Sequence, residues 1–198
     1  MAGAGQRIGL MGGSFNPPHD GHLRVAETAM KRLRLDAVWW LVTPGNPLKS
    51  HAELPPLGDR IAACRRLVGQ RRIVVTGLEA DLGTSFSAAT IAYLRLRRPD
   101  VRFVWVMGAD NLALFHRWRD WRWIASALPI AVVDRPGWRL PALSGTAVRR
   151  LASSRLPEAR AGLLAVSRPP VWVLLTTRLS PLSSTTLRGR GAAHHRGP

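Results

Sequence analysis

The stretch Arg7-Ile8-Gly9-Leu10-Met11-Gly12-Gly13-Ser14-Phe15-Asn16-Pro17-Pro18-His19-Asp20-Gly21-His22-Leu23 decides the fold. Its first five residues form a short, largely apolar run that reads as a strand. From Leu23 to Leu35 the apolar residues Val25, Ala26, Ala29, Met30 and Leu33 recur at helical spacing. Gly12–His22 therefore joins a strand's carboxyl end to a helix N-terminus, where free backbone N–H groups and the helix dipole favour an anion. Gly12 and Gly13 let main chain approach a ligand closely, and Pro17 and Pro18 stiffen the turn. His19 and His22, three residues apart, project from one side of the first helical turn. Taken alone, His-x-x-His is also compatible with a metal pair or two surface imidazoles. The run is neither a Walker loop, which needs Gly-Lys-Ser/Thr, nor the spaced glycines of a dinucleotide fingerprint.

Outward from this stretch, β-rich runs recur at Arg7–Met11, Ala37–Val42, Arg72–Thr76, Arg102–Met107, Ile130–Asp134 and Val171–Leu175, separated by helical periodicity or Pro/Gly loops. This alternation predicts an α/β fold: a Rossmann-like, doubly wound parallel sheet with helices on both faces, in a single domain. Each chemically suggestive motif follows a strand end, so all of them are expected at one cleft. Residues 1–188 are expected to form the domain and 189–198, rich in Gly, His and Arg, a flexible tail.

At 198 residues, 46% of them hydrophobic, the chain is long enough to bury a substantial core. No apolar stretch approaches the roughly 20 residues of a membrane span, and Met1–Gln6 lacks the apolar core of a secretory signal, so a cytoplasmic location is expected. The single cysteine, Cys64, excludes an internal disulfide or a cysteine metal cluster and reads as a buried bystander in an amphipathic helix. The net charge of +17 attracts polyanions. However, the basic residues are 27 arginines spread along the chain and only two lysines, Lys31 and Lys49, with no dedicated basic arm. Weak, salt-sensitive adhesion to RNA is expected rather than a nucleic-acid function.

Two further motifs carry chemistry. In Ser180-Pro181-Leu182-Ser183-Ser184-Thr185-Thr186-Leu187-Arg188, Ser183 or Ser184 can cap a helix, and Thr185 and Thr186 offer hydroxyls and free N–H groups. Arg188, four residues beyond Ser184, lies on the same face, where a guanidinium can grip two phosphate oxygens. Ser/Thr caps open many structural helices, so this pattern is weak by itself. In Val106–Trp121, Gly108 ends a strand, and Asp110 suits either a ribose contact or a helix cap. Trp118 offers a flat face to a heteroaromatic ring, or else packs like most tryptophans. Alternating Arg and Trp at 117–123 is also compatible with an RNA-binding surface.

The histidine run resembles the (T/H)xGH signature of the nucleotidyltransferase superfamily, in the Gly-Gly-Ser-Phe-Asn-Pro-Pro-His-x-Gly-His form of nicotinate-nucleotide adenylyltransferases. Ser-Ser-Thr-x-x-Arg at 183–188 and Gly-x-Asp-Asn-Leu-x-x-Phe-His-x-Trp-x-x-Trp at 108–121 resemble the same family, as do the loops Thr43–Lys49 and Leu82–Ser87, in family order from Gly9 to Arg188. The resemblance implies adenylyl transfer from ATP to nicotinate mononucleotide. It further implies ATP contacts from Gly12, Gly13, Ser14, Phe15, His19, His22, Gly108, Asp110, Ser184, Thr185 and Arg188. Mononucleotide contacts would come from Asn16, Lys49, Thr84, Ser85 and Trp118, the last stacking on the pyridine ring, while Trp121 and Trp123 are left as core. His22, His19 and Arg188 would be catalytic, and a nearby triphosphate would favour the imidazolium form of the histidines. Mg²⁺ is expected on the nucleotide's phosphates without a protein metal site. Asp134-Arg135-Pro136-Gly137 matches a family turn and receives no chemistry. The glycines at 189, 191 and 197 depart from the family's usual helical tail. Rival readings are a related transferase acting on phosphopantetheine or glycerol phosphate, which usually carries Thr-x-Gly-His, and an RNA-binding α/β protein.

Overall fold

The computed structural model describes residues 3–45, 54–69 and 71–177. Of the sequence expectations, Asn46–Lys49, Ser180–Arg188 and the tail at 189–198 lie outside the described residues. Six strands form one wholly parallel sheet: β1 (Arg7–Gly13), β2 (Ala37–Val42), β3 (Ile73–Thr76), β4 (Arg102–Gly108), β5 (Ile130–Val133) and β6 (Trp172–Leu175). Their order is β3-β2-β1-β4-β5-β6. The chain winds outward from β1 to β3, returns to the centre at β4, and winds outward again. The reversal falls between β1 and β4, and a crevice opens beyond the carboxyl ends of strands at such a reversal.

The helices are α1 (Asp20–Leu33), α2 (Leu57–Val68), α3 (Leu78–Asp81), α4 (Ser87–Arg97), α5 (Ala109–Leu114), α6 (Trp121–Ala127), α7 (Arg139–Leu143) and α8 (Thr146–Arg150), with 3₁₀ turns at Phe115–Arg117, Ala152–Ser154 and Glu158–Val166. They cover both faces of the sheet. On one face α1, α2 and the 158–166 segment pack on Val104, Val106, Ala131, Val133 and Val173. On the other, α4, α5 and α6 pack on Phe103, Trp105, Met107, Ile130, Val132 and Trp172. Successive strand residues thus enter opposite cores, which is why the central strands read as unbroken apolar runs. Among the described residues no helix is long and apolar enough to cross a membrane.

Helix α1 buries Leu23, Val25, Ala26, Ala29, Met30 and Leu33 along one stripe. Asp20 in its first turn and Lys31 and Arg32 in its last complement the helix dipole. Arg34 ends it in the left-handed region (φ +56°), donating its N–H to the Met30 carbonyl.

Candidate active site

At the β1–α1 junction the two histidines cap the helix reciprocally. His19, extended at the N-cap, accepts the Gly21 N–H on Nδ1 at 3.0 Å, and its own N–H donates to Nδ1 of His22 at 3.2 Å. This is a capping box in which imidazoles replace the usual Ser/Thr and Glu. A neutral imidazole that accepts on Nδ1 carries its proton on Nε2, so both rings become Nε2–H donors of fixed tautomer. The rings lie 3.9 Å apart centre to centre. His19 is buried, and its Nε2 has no hydrogen-bond partner among the described residues. Burial, with the Arg135 guanidinium nearby, lowers the His19 pKa to about 4; burial, then His19 and Arg135, hold His22 well below the ordinary value. Without a nucleotide both imidazoles are held neutral, chiefly by burial, and a proton on Nδ1 would also break the cap; the imidazolium expected beside a triphosphate belongs to the nucleotide-bound protein.

The loop before the histidines is braced from within the protein. Phe15 is 1% exposed, stacks on Trp40 at 4.6 Å and tilts against His22 at 4.9 Å. Its φ of +46° is unusual for a bulky residue and costs on the order of 1 kcal/mol, which the aromatic packing offsets. Its side chain supports the His22 ring from the core side, so a ligand contact from Phe15 falls to its main chain. Gly12 and Gly13 lie inside β1 rather than after it. A Cβ on Gly12 would meet the Trp105 ring at 3.1 Å, and one on Gly13 the Phe15 ring at 3.1 Å. Their lack of a side chain thus makes room for the protein's own aromatics, whereas the sequence suggested room for a ligand.

The end of β4 lies beside β1 and faces the β5 turn. Asp110 Oδ2 accepts from Arg135 Nη1 at 3.1 Å, and Asp110 Oδ1 is buried without a hydrogen-bond partner. Gly108 is required there: a Cβ would collide with Asp110 Oδ1 and sit 2.8 Å from Arg135 Cδ. Arg135, to which the sequence assigned no chemistry, therefore holds the aspartate and projects its charge onto both histidines. A cleft between the first turns of α1 and the β5 end is lined by Gly21, Arg24, Val25, Asp134, Arg135 and Thr177. The signal for Arg135 was its place after β5, which becomes telling only once β5 is known to adjoin β4.

Trp118 is half-buried, edge-on to Trp105 (6.0 Å, 86°) and Phe115 (5.5 Å, 75°). Trp121 packs partly on the core, but Trp123 is 39% exposed, correcting its assignment as a core residue. In the 82–87 loop the Thr84 N–H donates to the Glu79 carbonyl and the Thr84 hydroxyl accepts the Phe86 N–H. Thr84 is thereby used in forming the turn, and Ser85 sits at its tip. The N-cap of α4 is Phe86, with no side-chain bond. Cys64 is fully buried, with its thiol pushed up to about 12 by burial. Two buried charged groups escaped sequence reading, Arg60 (3% exposed) and Glu79 (2%). Burial pushes the Glu79 carboxyl up, while the Thr43 and Thr90 side chains pull the other way.

Residues 10–190 match the cytidylyltransferase-like family. A protein of Agrobacterium fabrum named "Probable nicotinate-nucleotide adenylyltransferase" is 55% identical over 181 residues, covering 91% of this chain and 97% of its own. One of the same name from Rhizobium meliloti is 56% identical over 181 residues, covering 91% and 96%. The chain belongs to the nicotinate-nucleotide adenylyltransferase family. Its fold is also that of the Plasmodium falciparum nicotinic acid mononucleotide adenylyltransferase solved with NaAD, at a TM-score of 0.69 and 15% identity, covering 93% of this chain and 83% of that one.

Within this adenylyltransferase fold, His19, His22, Gly108, Asp110 and Arg135 gather at the carboxyl ends of β1, β4 and β5. Ser14 and Asn16 lie on the loop leading to the histidines. Thr84 and Ser85 follow α3, and Trp118 follows α5, on the Trp105 side of the sheet. Lys49, Ser184, Thr185 and Arg188 cannot be related to these, since they lie outside the described residues.

Proposed function

We propose that this chain transfers AMP from ATP to nicotinate mononucleotide, giving nicotinate adenine dinucleotide and pyrophosphate. The observation that carries the reading is the reciprocal histidine cap, two neutral Nε2–H donors of fixed tautomer at a helix N-terminus beside Arg135. In this reading a 5′-phosphate oxygen of the mononucleotide attacks the α-phosphorus of ATP in line. The new O–P bond forms as the bond from the α-phosphorus to the bridging oxygen breaks, and that oxygen leaves with the electron pair on pyrophosphate. The attacking phosphate is already an anion at neutral pH, so no protein nucleophile is required. The protein contributes positioning and charge stabilisation.

His22 and His19 donate Nε2–H to phosphate oxygens as negative charge moves toward the leaving group. Their tautomer is set before substrate arrives, so no proton has to move within the rings during the reaction. The N–H groups of His19, Gly21 and His22 are used within the cap itself, so in this reading the anion is met by the two imidazoles and the positive end of the helix dipole. Asp110 Oδ1, an acceptor without a partner, suits a ribose hydroxyl, with Arg135 fixing the carboxylate's orientation. Ser14, Gly12, Gly13 and the Phe15 main chain border the nucleotide; Ser184, Thr185 and Arg188 grip its outer phosphates in this reading. Asn16, Lys49, Thr84, Ser85 and Trp118 meet the mononucleotide, with Trp118 against the pyridine ring.

Among the described residues no three His, Cys, Asp or Glu side chains cluster to hold a metal. The donors at the strand ends are imidazoles, a guanidinium and a carboxylate already paired to it, a set that suits Mg²⁺ carried on phosphate oxygens and water. Mg²⁺ so bound would neutralise charge on the outer phosphates. Incubation with ATP, Mg²⁺ and a panel of acceptors tests the reading through pyrophosphate release. Release with nicotinate mononucleotide, and far less with nicotinamide mononucleotide, phosphopantetheine or glycerol phosphate, is expected. A preference for phosphopantetheine or glycerol phosphate would overturn it.

A further inference from the structure

Arg60 lies in the first turn of α2 and is 3% exposed. Among the described residues no carboxylate pairs with it. Its guanidinium is instead spread over main-chain carbonyls: Nη1 donates to Ser14 O at 2.9 Å and to Thr43 O at 2.8 Å, Nε to Pro55 O at 3.0 Å, and Nη2 to Pro44 O at 3.4 Å. One buried cation thus ties the loop between β1 and the histidines to both ends of the loop between β2 and α2. Burying a guanidinium is costly even when its N–H groups are met by carbonyls, so this arrangement is an expensive way to fasten two loops if fastening is all it does.

The peptide that Arg60 grips suggests a further role. The Ser14–Phe15 bond is trans, so its N–H points opposite to its C=O. Holding Ser14 O against the guanidinium inside the protein turns the Phe15 N–H away from it, one residue ahead of Asn16 on the loop that leads to His19 and the first turn of α1. Phe15 keeps its positive φ with its ring stacked on Trp40, and the Arg60 bond to Ser14 O holds the peptide in that orientation. Thr43 adds a link in the other direction, because its side chain faces buried Glu79 on α3, whose carbonyl accepts the Thr84 N–H.

We propose that Arg60 is a positioning residue for adenylyl transfer: it orients the Ser14–Phe15 peptide so that its N–H is presented to the nucleotide phosphates, and registers that loop against the mononucleotide side of the cleft. The inference rests on the adenylyl-transfer reading. Arg60 touches no substrate. Lysine has the charge and nearly the reach but only a single nitrogen, which cannot satisfy carbonyls spread around a planar fork.

The test compares wild type, Arg60→Lys and Arg60→Ala at a temperature where circular dichroism shows each fully folded. With both substrates saturating, Arg60→Lys is expected to lose at least tenfold in kcat, with the KM for nicotinate mononucleotide changed less than threefold. Millimolar methylguanidinium is expected to restore part of the Arg60→Ala rate without altering wild type. A kcat within twofold of wild type, accompanied only by a lower melting temperature, would overturn the proposal. So would variants that never fold, since that assigns Arg60 to folding alone. A wild type inert toward nicotinate mononucleotide would instead remove the underlying reading, and this inference with it.

Discussion

In the proposed reaction His19 and His22 act through a choice of nitrogen. Because each Nδ1 accepts a backbone N–H, neither ring can take a second proton without losing the helix cap, and burial opposes the charge as well. In the free enzyme the Cε1 proton resonances of both histidines are therefore expected to stay fixed from pH 8 to pH 5 in NMR titrations. An inflection near 6.5 in either would contradict the neutral pair. His22→Ala removes one preorganised donor and is expected to lower kcat by about 10²-fold with the fold retained by circular dichroism. Near-normal turnover would remove His22 from the chemistry. The sequence made both histidines legible, since their spacing and position after Gly12–Gly13 put them on the first turn of a helix. The tautomer was not legible: it depends on which backbone N–H each ring meets, and on burial by Phe15 and Trp40, which are far from obvious neighbours along the chain.

The helix N-terminus has its own energetics, separable from the chemistry. Asn is a good N-cap and can accept the Gly21 N–H, so His19→Asn is expected to keep stability at pH 8 within about 1 kcal/mol while lowering kcat. The His19 value near 4 lies below the ordinary 6.5, so the unfolded chain takes up a proton that the folded chain refuses. That contribution to stability is present above pH 6.5 and is lost as pH falls toward 4. Urea midpoints measured at pH 7.5 and 5 are expected to drop for wild type and to drop less for His19→Asn. At the end of β4, Gly108→Ala forces Asp110 or Arg135 aside and is expected to cost about 1–3 kcal/mol, read as a lower urea midpoint. All six strands were legible to within two residues at either end, because buried parallel strands are short apolar runs bounded by turns. The start of α4 was not legible: the Thr84 hydroxyl accepts the Phe86 N–H, and the helix begins after Phe86 with no side-chain cap of its own.

For the molecule as a whole, the strand order matters most. The reversal between β1 and β4 brings the turn after β5 to Asp110 and the histidines, and leaves Trp118 on the opposite, Trp105 side. The two substrates should thus be separable by mutation. Trp118→Ala is expected to raise the KM for nicotinate mononucleotide several-fold with that for ATP nearly unchanged, and Asp110→Asn to do the reverse. Parallel losses for both substrates in either variant would contradict a divided cleft. Fold class followed from the rhythm of apolar runs, whereas Arg135 and Arg60 were invisible in the sequence because the partners that matter, Asp110 and Ser14, lie 25 and 46 residues away. Finally, the sole thiol of the chain, Cys64, sits fully enclosed one helical turn from Arg60 and resists ionisation. An alkylating reagent therefore finds no target until that region breathes, and its labelling rate becomes a native clock for the opening of α2, with no dye or probe to be engineered in.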